Sequence, residues 1–552
     1  MTDKLARCIG DGSIVHFQAS TGIWIDDGGH NHSNHELDFG PAEIAPIGNN
    51  PAGDISQPGK VVQRITDAGY YYRLREGGEE IGPFTVEDEE DPALDQTLAS
   101  KFGVDVKEIL VARLYEVKRP TNFDEVADVL GCTIRHDRSN KLILFAAGCL
   151  TFTDEDQFNL LMAGESAGGK SYTAQEVVSY FPADVIRWIG GASPSSFYHL
   201  HGTWDEENKA IRVDLRQKIL VFLDSPHYSL LEKLRPLLSH DRKELAYQIV
   251  DKNKRGSLRT KNVILVGYPT VIFCSGKLSL DEQERTRVFL LSPETDQEKL
   301  QESILLRIKK DGNRDAFKKW IDTHPARRCL KARIDAIRNA KIDQVIVEDQ
   351  EAVYERFLAS HRHLAPRHQR DISRIMALIK AHAMLNLWQR EKPYPGAIVA
   401  NQEDLDAGFS LYQLIATANE LGLAPELYHI WEQVIRPLVE KNESGVPNRT
   451  IMAEYHRMYG RFLADRKLRR EILPALESCG LILLESDPSD RRQKLVTLAL
   501  SDSACPPHDA HISDIGGVGG NVGEVRGHPQ QDTAKQPPGP LDILTTQRGE
   551  GK

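Results

Sequence analysis

The segment Gly164-Glu165-Ser166-Ala167-Gly168-Gly169-Lys170-Ser171 constrains this chain more than any other stretch. Glycine, four residues, then Gly-Lys-Ser is the spacing of a strand-to-helix turn that wraps an anion. The flanks agree with it. An apolar run, FNLLMAG (158–164), leads into the turn, and a helix-compatible stretch, SYTAQEVVSYF (171–181), leads out. Glycines let successive backbone N–H groups turn inward around phosphate oxygens. The helix that follows points its positive end at the same anion. In such a loop Lys170 reaches the β- and γ-phosphates and Ser171 ligates Mg²⁺. A chance glycine turn is the plain alternative, and the strand and helix on either side argue against it.

From there to about residue 290, strands and helices alternate. KILVFLD (218–224), TVIFCSG (270–276) and RVFLLS (287–292) join FNLLMAG as apolar runs. Most are continuous rather than alternating, as strands buried on both faces of a parallel sheet should be. The expectation is an α/β fold. Asp224 closes its strand, where a carboxylate can join a Mg²⁺ shell; taken alone it reads as an ordinary turn aspartate. Ser275, at the end of the next strand, is placed to sense a γ-phosphate through water, or is a plain turn serine. Arg287, and after it Arg285, enters the last strand, where a guanidinium can stabilise charge on a phosphate, often a neighbouring subunit's. The alternative there is a surface salt bridge to the acidic 281–284 segment.

The 552 residues suggest three or four domains. Residues 1–100 read as a small β-rich or partly ordered module, from runs such as SIVHFQ (13–18) and YYYRLR (70–75), with EDEEDP (87–92) as an acidic linker. The core is placed at 101–300, with helical periodicity in FDEVADVLG (123–131) and LILFAAGCL (142–150). Residues 301–425 look mostly helical, 426–500 form a further module, and 501–552 are too poor in large apolar residues to fold. Lys and Arg number 69 against 80 Asp and Glu, a net charge of −11, which excludes a globally basic nucleic-acid coat but not a local basic surface. The longest apolar stretch, Val263–Cys274, is broken by Gly267 and Pro269, so no membrane span is expected. The opening MTDKLARCIGDGS lacks the apolar core of a secretory signal. Seven scattered cysteines with no CxxC pair offer neither a zinc site nor a disulfide framework and fit a reducing cytoplasm. His30, His32 and His35 with Glu36 read as a polar loop rather than a metal site, and Ser193–Ser196 has no base at motif spacing.

Two regions carry clustered cations. AYQIVDKNKRGSLRTKNVILV (246–266) reads as two strands around a glycine-containing turn, and 252–261 holds Lys252, Lys254, Arg255, Arg259 and Lys261 with no acid. Each cation that pairs a phosphate releases a counterion, so such a hairpin grips nucleic acid without reading sequence. A solvated surface hairpin is the alternative. Further on, RTIMAEYHRMYG (449–460) and RKLRREILPALESCG (466–480) read as helices, and LILLESDPSDRRQKLVTLAL (481–500) as two strands. That is the order of a winged helix-turn-helix. Arg466, Lys467, Arg469 and Arg470 open its second helix, and Arg491 and Arg492 lie at the wing tip. A winged helix used for protein contacts is the alternative.

Taken in order, 140–440 resembles the AAA+ P-loop ATPase core, in the branch that includes MCM-type replicative helicases and the ATPases of mobile elements and phages. SPSSFY (193–198) resembles the segment after that branch's P-loop helix. RTRVFLL (285–291) resembles its arginine-finger strand, with Arg287 at the matching position. APRHQRDISRIMALIKAHAMLNL (365–387) resembles the lid helix carrying the sensor-2 arginine, with Arg370 matching best, and VANQEDLDAGFSLYQLI (399–415) resembles the closing helix. The 246–266 hairpin resembles the branch's pre-sensor-1 hairpin. The resemblance implies ATP and Mg²⁺ as cofactors, and a homo-oligomeric ring, a hexamer, that shares its sites between subunits. It implies DNA as partner, a helicase-like motor in DNA replication of a mobile element or phage-like locus, and a replication partner protein for the winged helix. Two residues depart from the pattern. Ser225 stands where a water-orienting glutamate is usual, leaving that part to His227 or Glu232, or leaving hydrolysis slow. Ser275 stands where asparagine or threonine is more usual. A rival reading is an ATP-switched DNA-binding regulator with slow or no hydrolysis; a second is a scaffold ATPase without a DNA role.

Overall fold

The computed structural model describes residues 58–499, apart from 90, 165–167, 192–196, 198–201, 225–227, 252–258, 276–286, 362–363, 443 and 489–492. It also describes the backbone of five short antiparallel strands between Leu5 and Asp38. The expectations for Glu165, Ser166, Ala167, Ser193–Ser196, Ser225, His227, Lys252, Lys254, Arg255, Arg285, Arg491, Arg492 and the 501–552 tail fall outside the described residues, as do those for His30, His35 and Glu36.

The chain is α/β. Strands β1 (Asn159–Ala163), β2 (Ile186–Ile189), β3 (Ile219–Phe222), β4 (Thr270–Ser275) and β5 (Val288–Leu291) form one parallel sheet in the order β2-β3-β4-β1-β5. Every residue of β1, β3, β4 and β5 is buried. The cause is layering on both faces. Leu160, Met162, Val221, Ile272 and Phe289 join one apolar cluster, while Leu161, Phe222, Phe273 and Leu290 join another on the opposite face. Both side-chain parities are therefore apolar, which removes the alternation of a half-exposed strand. The edge strand β2, with the sequence IRWI, was not expected. Three of its residues are half-buried and Trp188 is exposed, so it lacks the continuous apolar run of its neighbours.

Helices α1 (Phe123–Gly131), α2 (Arg138–Leu150), α3 (Lys170–Val178) and α4 (Tyr228–Leu238) surround the sheet with α5 (Pro325–Asn339), α6 (His368–Leu385) and α7 (Gln402–Gln413). Asn122 caps α1 through the Glu125 N–H, and α7 opens with a reciprocal capping box between Asn401 and Asp404. One apolar cluster runs from Phe123 to Ile415, so α1–α3, one face of the sheet and α5–α7 share a single interior. Asp404 is fully buried within it. Burial pushes its carboxyl up, but hydrogen bonds from His382 Nδ1 (2.6 Å) and Arg390 Nε (2.7 Å) outweigh this and hold it below the usual carboxylate range.

Residues 87–92 are not a linker. Glu89 accepts hydrogen bonds from Gln63 Nε2 (2.5 Å) and Tyr72 OH (3.2 Å), and Asp91 caps the helix Pro92–Phe102 through the Ala93 N–H. Glu89 is thus held by neighbours that sequence order does not reveal, while Glu87 and Asp88 stay exposed, beside a three-stranded sheet of Val61–Thr66, Gly69–Leu74 and Ile81–Phe84. Beyond α7, helix Asn448–Tyr459, a helical run over 465–478 and strands Ile482–Ser486 and Lys494–Leu498 pack around Ile451, Tyr455, Leu468, Ile472 and Val496. No helix among the described residues is long and apolar enough to cross a membrane.

Candidate functional site at the strand ends

Strand β1 delivers the chain to Gly164, and α3 begins at Lys170. Gly169 has φ +91°, a left-handed value that side chains resist, and among the described residues nothing lies within 4 Å of where a Cβ would stand. Lys170 is buried, and its Nζ donates to the Gly164 carbonyl at 2.9 Å, so the cation folds back over its own loop. A glycine turn with a buried ammonium at a helix N-terminus suits an oxyanion.

The sheet register decides what else arrives at this edge. Ala163 is level with Ser275, and Phe222 with Phe273. Asp224 lies two residues beyond Phe222, as Ser275 lies two beyond Phe273, so Asp224, Ser275 and the glycine loop reach the same carboxyl-terminal edge. Ser275 is buried and Asp224 is exposed. Open α/β sheets place ligands at this edge. Sequence reasoning missed Cys274. Its thiol hydrogen-bonds Ser171; burial pushes it up to about 11, against the opposing pull of that bond and of Lys170. Strand parity carries the signal: Cys274 shares its face with Ile272 and α3, while Ser275 shares the face of Phe273.

Arg287 and Arg370 meet elsewhere. Val288 is level with Asn159, the first residue of β1, so Arg287 stands at the amino-terminal edge, roughly 15 Å of strand away from the loop. Arg287 and the exposed Arg370 line one cavity of about 560 Å³ together with Asp156, His240, Arg374 and Lys380. Arg374 is built into its wall: it donates to Asp371 Oδ1 (2.8 Å) and to the Val288 carbonyl (2.6 Å). The arginines and the loop occupy opposite edges of one sheet.

The basic hairpin has the expected form. Strands Glu244–Asp251 and Arg259–Val266 pair antiparallel, closing at Asp251 against Arg259. The return strand also pairs in parallel with Ala210–Asp214, and Val263 and Leu265 enter the core, so the base of the hairpin is anchored. The side chains of Arg259 and Lys261 lie outside the described residues. In the C-terminal module Arg466, Arg469 and Arg470 are exposed, and Arg469 Nε pairs with Asp465 at 2.8 Å. Lys467 differs from them: it turns inward and its Nζ meets Glu426 Oε1 at 3.1 Å. The sequence matches no protein-family model and no curated protein.

Proposed function

We propose that the chain is an AAA+ ATPase of the MCM-like branch, acting as an ATP-dependent DNA motor in replication of a mobile element or phage-like locus. One observation carries the reading. The order β2-β3-β4-β1-β5 inserts a strand ending in Ser275 between the loop strand and the Asp224 strand, and all three end at one edge. In this reading backbone N–H groups of 164–171 and Lys170 hold the phosphates of ATP. Ser171 and Asp224 would hold Mg²⁺, which would supply charge neutralisation at the phosphates. The left-handed turn at Gly169 and the buried ammonium of Lys170 fit the phosphates. Arg287 and Arg370 are too far from their own loop to serve it, which supports a homo-oligomeric ring, a hexamer in this reading, in which they serve a neighbour's. The anchored hairpin would carry Lys252, Lys254, Arg255, Arg259 and Lys261 to a phosphate backbone, and the C-terminal module, read as a winged helix, would dock on DNA or a replication protein.

The test is ATPase rate with and without single-stranded DNA at low salt. Stimulation is expected in the wild type and its loss in the Lys254→Ala, Arg255→Ala double variant; equal rates in all four conditions overturn the hairpin's role. Ser225, directly after Asp224, favours one other reading, an ATP-switched DNA-binding regulator. Sequence-specific footprinting without strand displacement would select it.

A further inference from the structure

A carboxylate stands against the glycine loop where nothing in the loop motif calls for one. Residue 426 lies at the start of the short helix Pro425–Ile430, which joins the sheet to the C-terminal module: Ala424 belongs to the sheet's second-face core, and Leu427 packs against that core and the module's own. Glu426 Oε2 lies 3.2 Å from the position a Cβ on residue 164 would occupy, so the first glycine of the loop is also the one that leaves this carboxylate room. Pro293 Cδ (3.3 Å) and Lys170 Cδ (3.9 Å) border the same point. The other oxygen, Oε1, accepts from Lys467 Nζ at 3.1 Å, with the two side chains only 9% and 23% exposed. A continuous line therefore runs from Gly164 through Glu426 to Lys467, on the helix that also presents Arg466 and Arg470.

The electrostatics give the line a direction. With the loop empty of phosphate, the ammonium of Lys467 neutralises the Glu426 carboxylate. A triphosphate seated in the loop would bring several negative charges beside a carboxylate largely shielded from water, where repulsion is weakly screened. We propose that Glu426 and Lys467 form a latch fastening the C-terminal module to the nucleotide loop, and that a bound nucleoside triphosphate opens it. The inference rests on the reading of 164–171 as a nucleotide loop. Opening frees Lys467 to join Arg466 and Arg470. Because coupling between two sites is reciprocal, any ligand that holds the module away from the loop also tightens nucleotide binding.

Two measurements on the full chain test this: titration with a fluorescent ATP analogue and Mg²⁺, and amide hydrogen exchange of 465–478 with and without a slowly hydrolysed ATP analogue. In the wild type, nucleotide is expected to speed exchange of that helix by about fivefold or more. Glu426→Gln removes the repelling charge, so it binds nucleotide about fivefold more tightly and its helix exchanges fast throughout. Lys467→Gln breaks the latch but keeps the Glu426 charge beside the phosphates, so it loses the exchange response without the affinity gain of Glu426→Gln. A purely structural pair would not separate the two variants in affinity. The latch is overturned if wild-type chain binds nucleotide with unchanged exchange in 465–478, or if both variants shift affinity alike. If wild type and Lys170→Ala alike fail to bind nucleotide, the loop reading itself falls, and the latch with it.

Discussion

The two edges of the parallel sheet are made of opposite materials. At the carboxyl edge, bare glycine backbone, a buried ammonium and two strand-end side chains come together. At the amino edge, Arg287, Arg370 and Arg374 border a cavity built from side chains. The first suits an anion by its N–H groups, the second by guanidinium forks. Arg287 and the loop lie at opposite ends of the strands, roughly 15 Å apart along β1. On the proposed function, catalysis then belongs to the contact between copies.

The largest expected effect probes that separation. Arg287→Ala should lower ATPase rate about 1,000-fold while leaving nucleotide affinity intact, whereas Lys170→Ala should abolish binding. Mixing the two inactive variants should recover activity, measured as phosphate release; a mixture as dead as its parts would place both residues in one site. Next in size is a division within the arginine edge. Arg374→Ala leaves the buried Asp371 carboxylate with only Arg367 Nε at 3.5 Å and should cost about 3 kcal/mol in denaturant unfolding. Arg370→Ala, at an exposed position, should stay within about 0.5 kcal/mol. Equal losses would mean that Arg370 too is a wall of the cavity rather than a group facing out of it. At the opposite edge, Asp224→Asn should reduce the Mg²⁺ dependence of nucleotide affinity about tenfold, within the range for a charged group's hydrogen bonds. Unchanged Mg²⁺ dependence would remove Asp224 from the site. The smallest effect concerns Cys274. With its thiol pushed up to about 11 it stays protonated at pH 8, so maleimide should label it only after unfolding. Rapid labelling of native protein at Cys274 would contradict its burial beside Ser171.

Legibility in the sequence followed burial. β1, β3, β4 and β5 were readable because layers on both faces demand apolar residues at every position. β2 was not, because an edge strand with Arg187 and Trp188 obeys no such demand. Thr203–Asp205 and Ala210–Asp214 are short and carry charge, so they gave no strand signal either, although the second supports the hairpin. The glycine loop and Asp224 were legible as a local motif and a strand end. Their convergence with Ser275 followed only from register. Charge misled twice. The 87–92 run reads as an acidic linker, yet Gln63 and Tyr72 bind Glu89. Lys467 reads like its exposed neighbours, although it pairs with Glu426, 41 residues away. Pairings at that separation leave no trace in periodicity.

The interior shared from Phe123 to Ile415 bears on how the chain is made. A ribosome that has released only the first 300 residues has delivered the whole sheet with α2 and α3 against it, but not α6 and α7, which pack on α2. The side of α2 that meets them would wait in water until they emerged. Nascent chains of this protein thus pass through an interval of half-dressed core, the state in which folding helpers bind and premature stops aggregate.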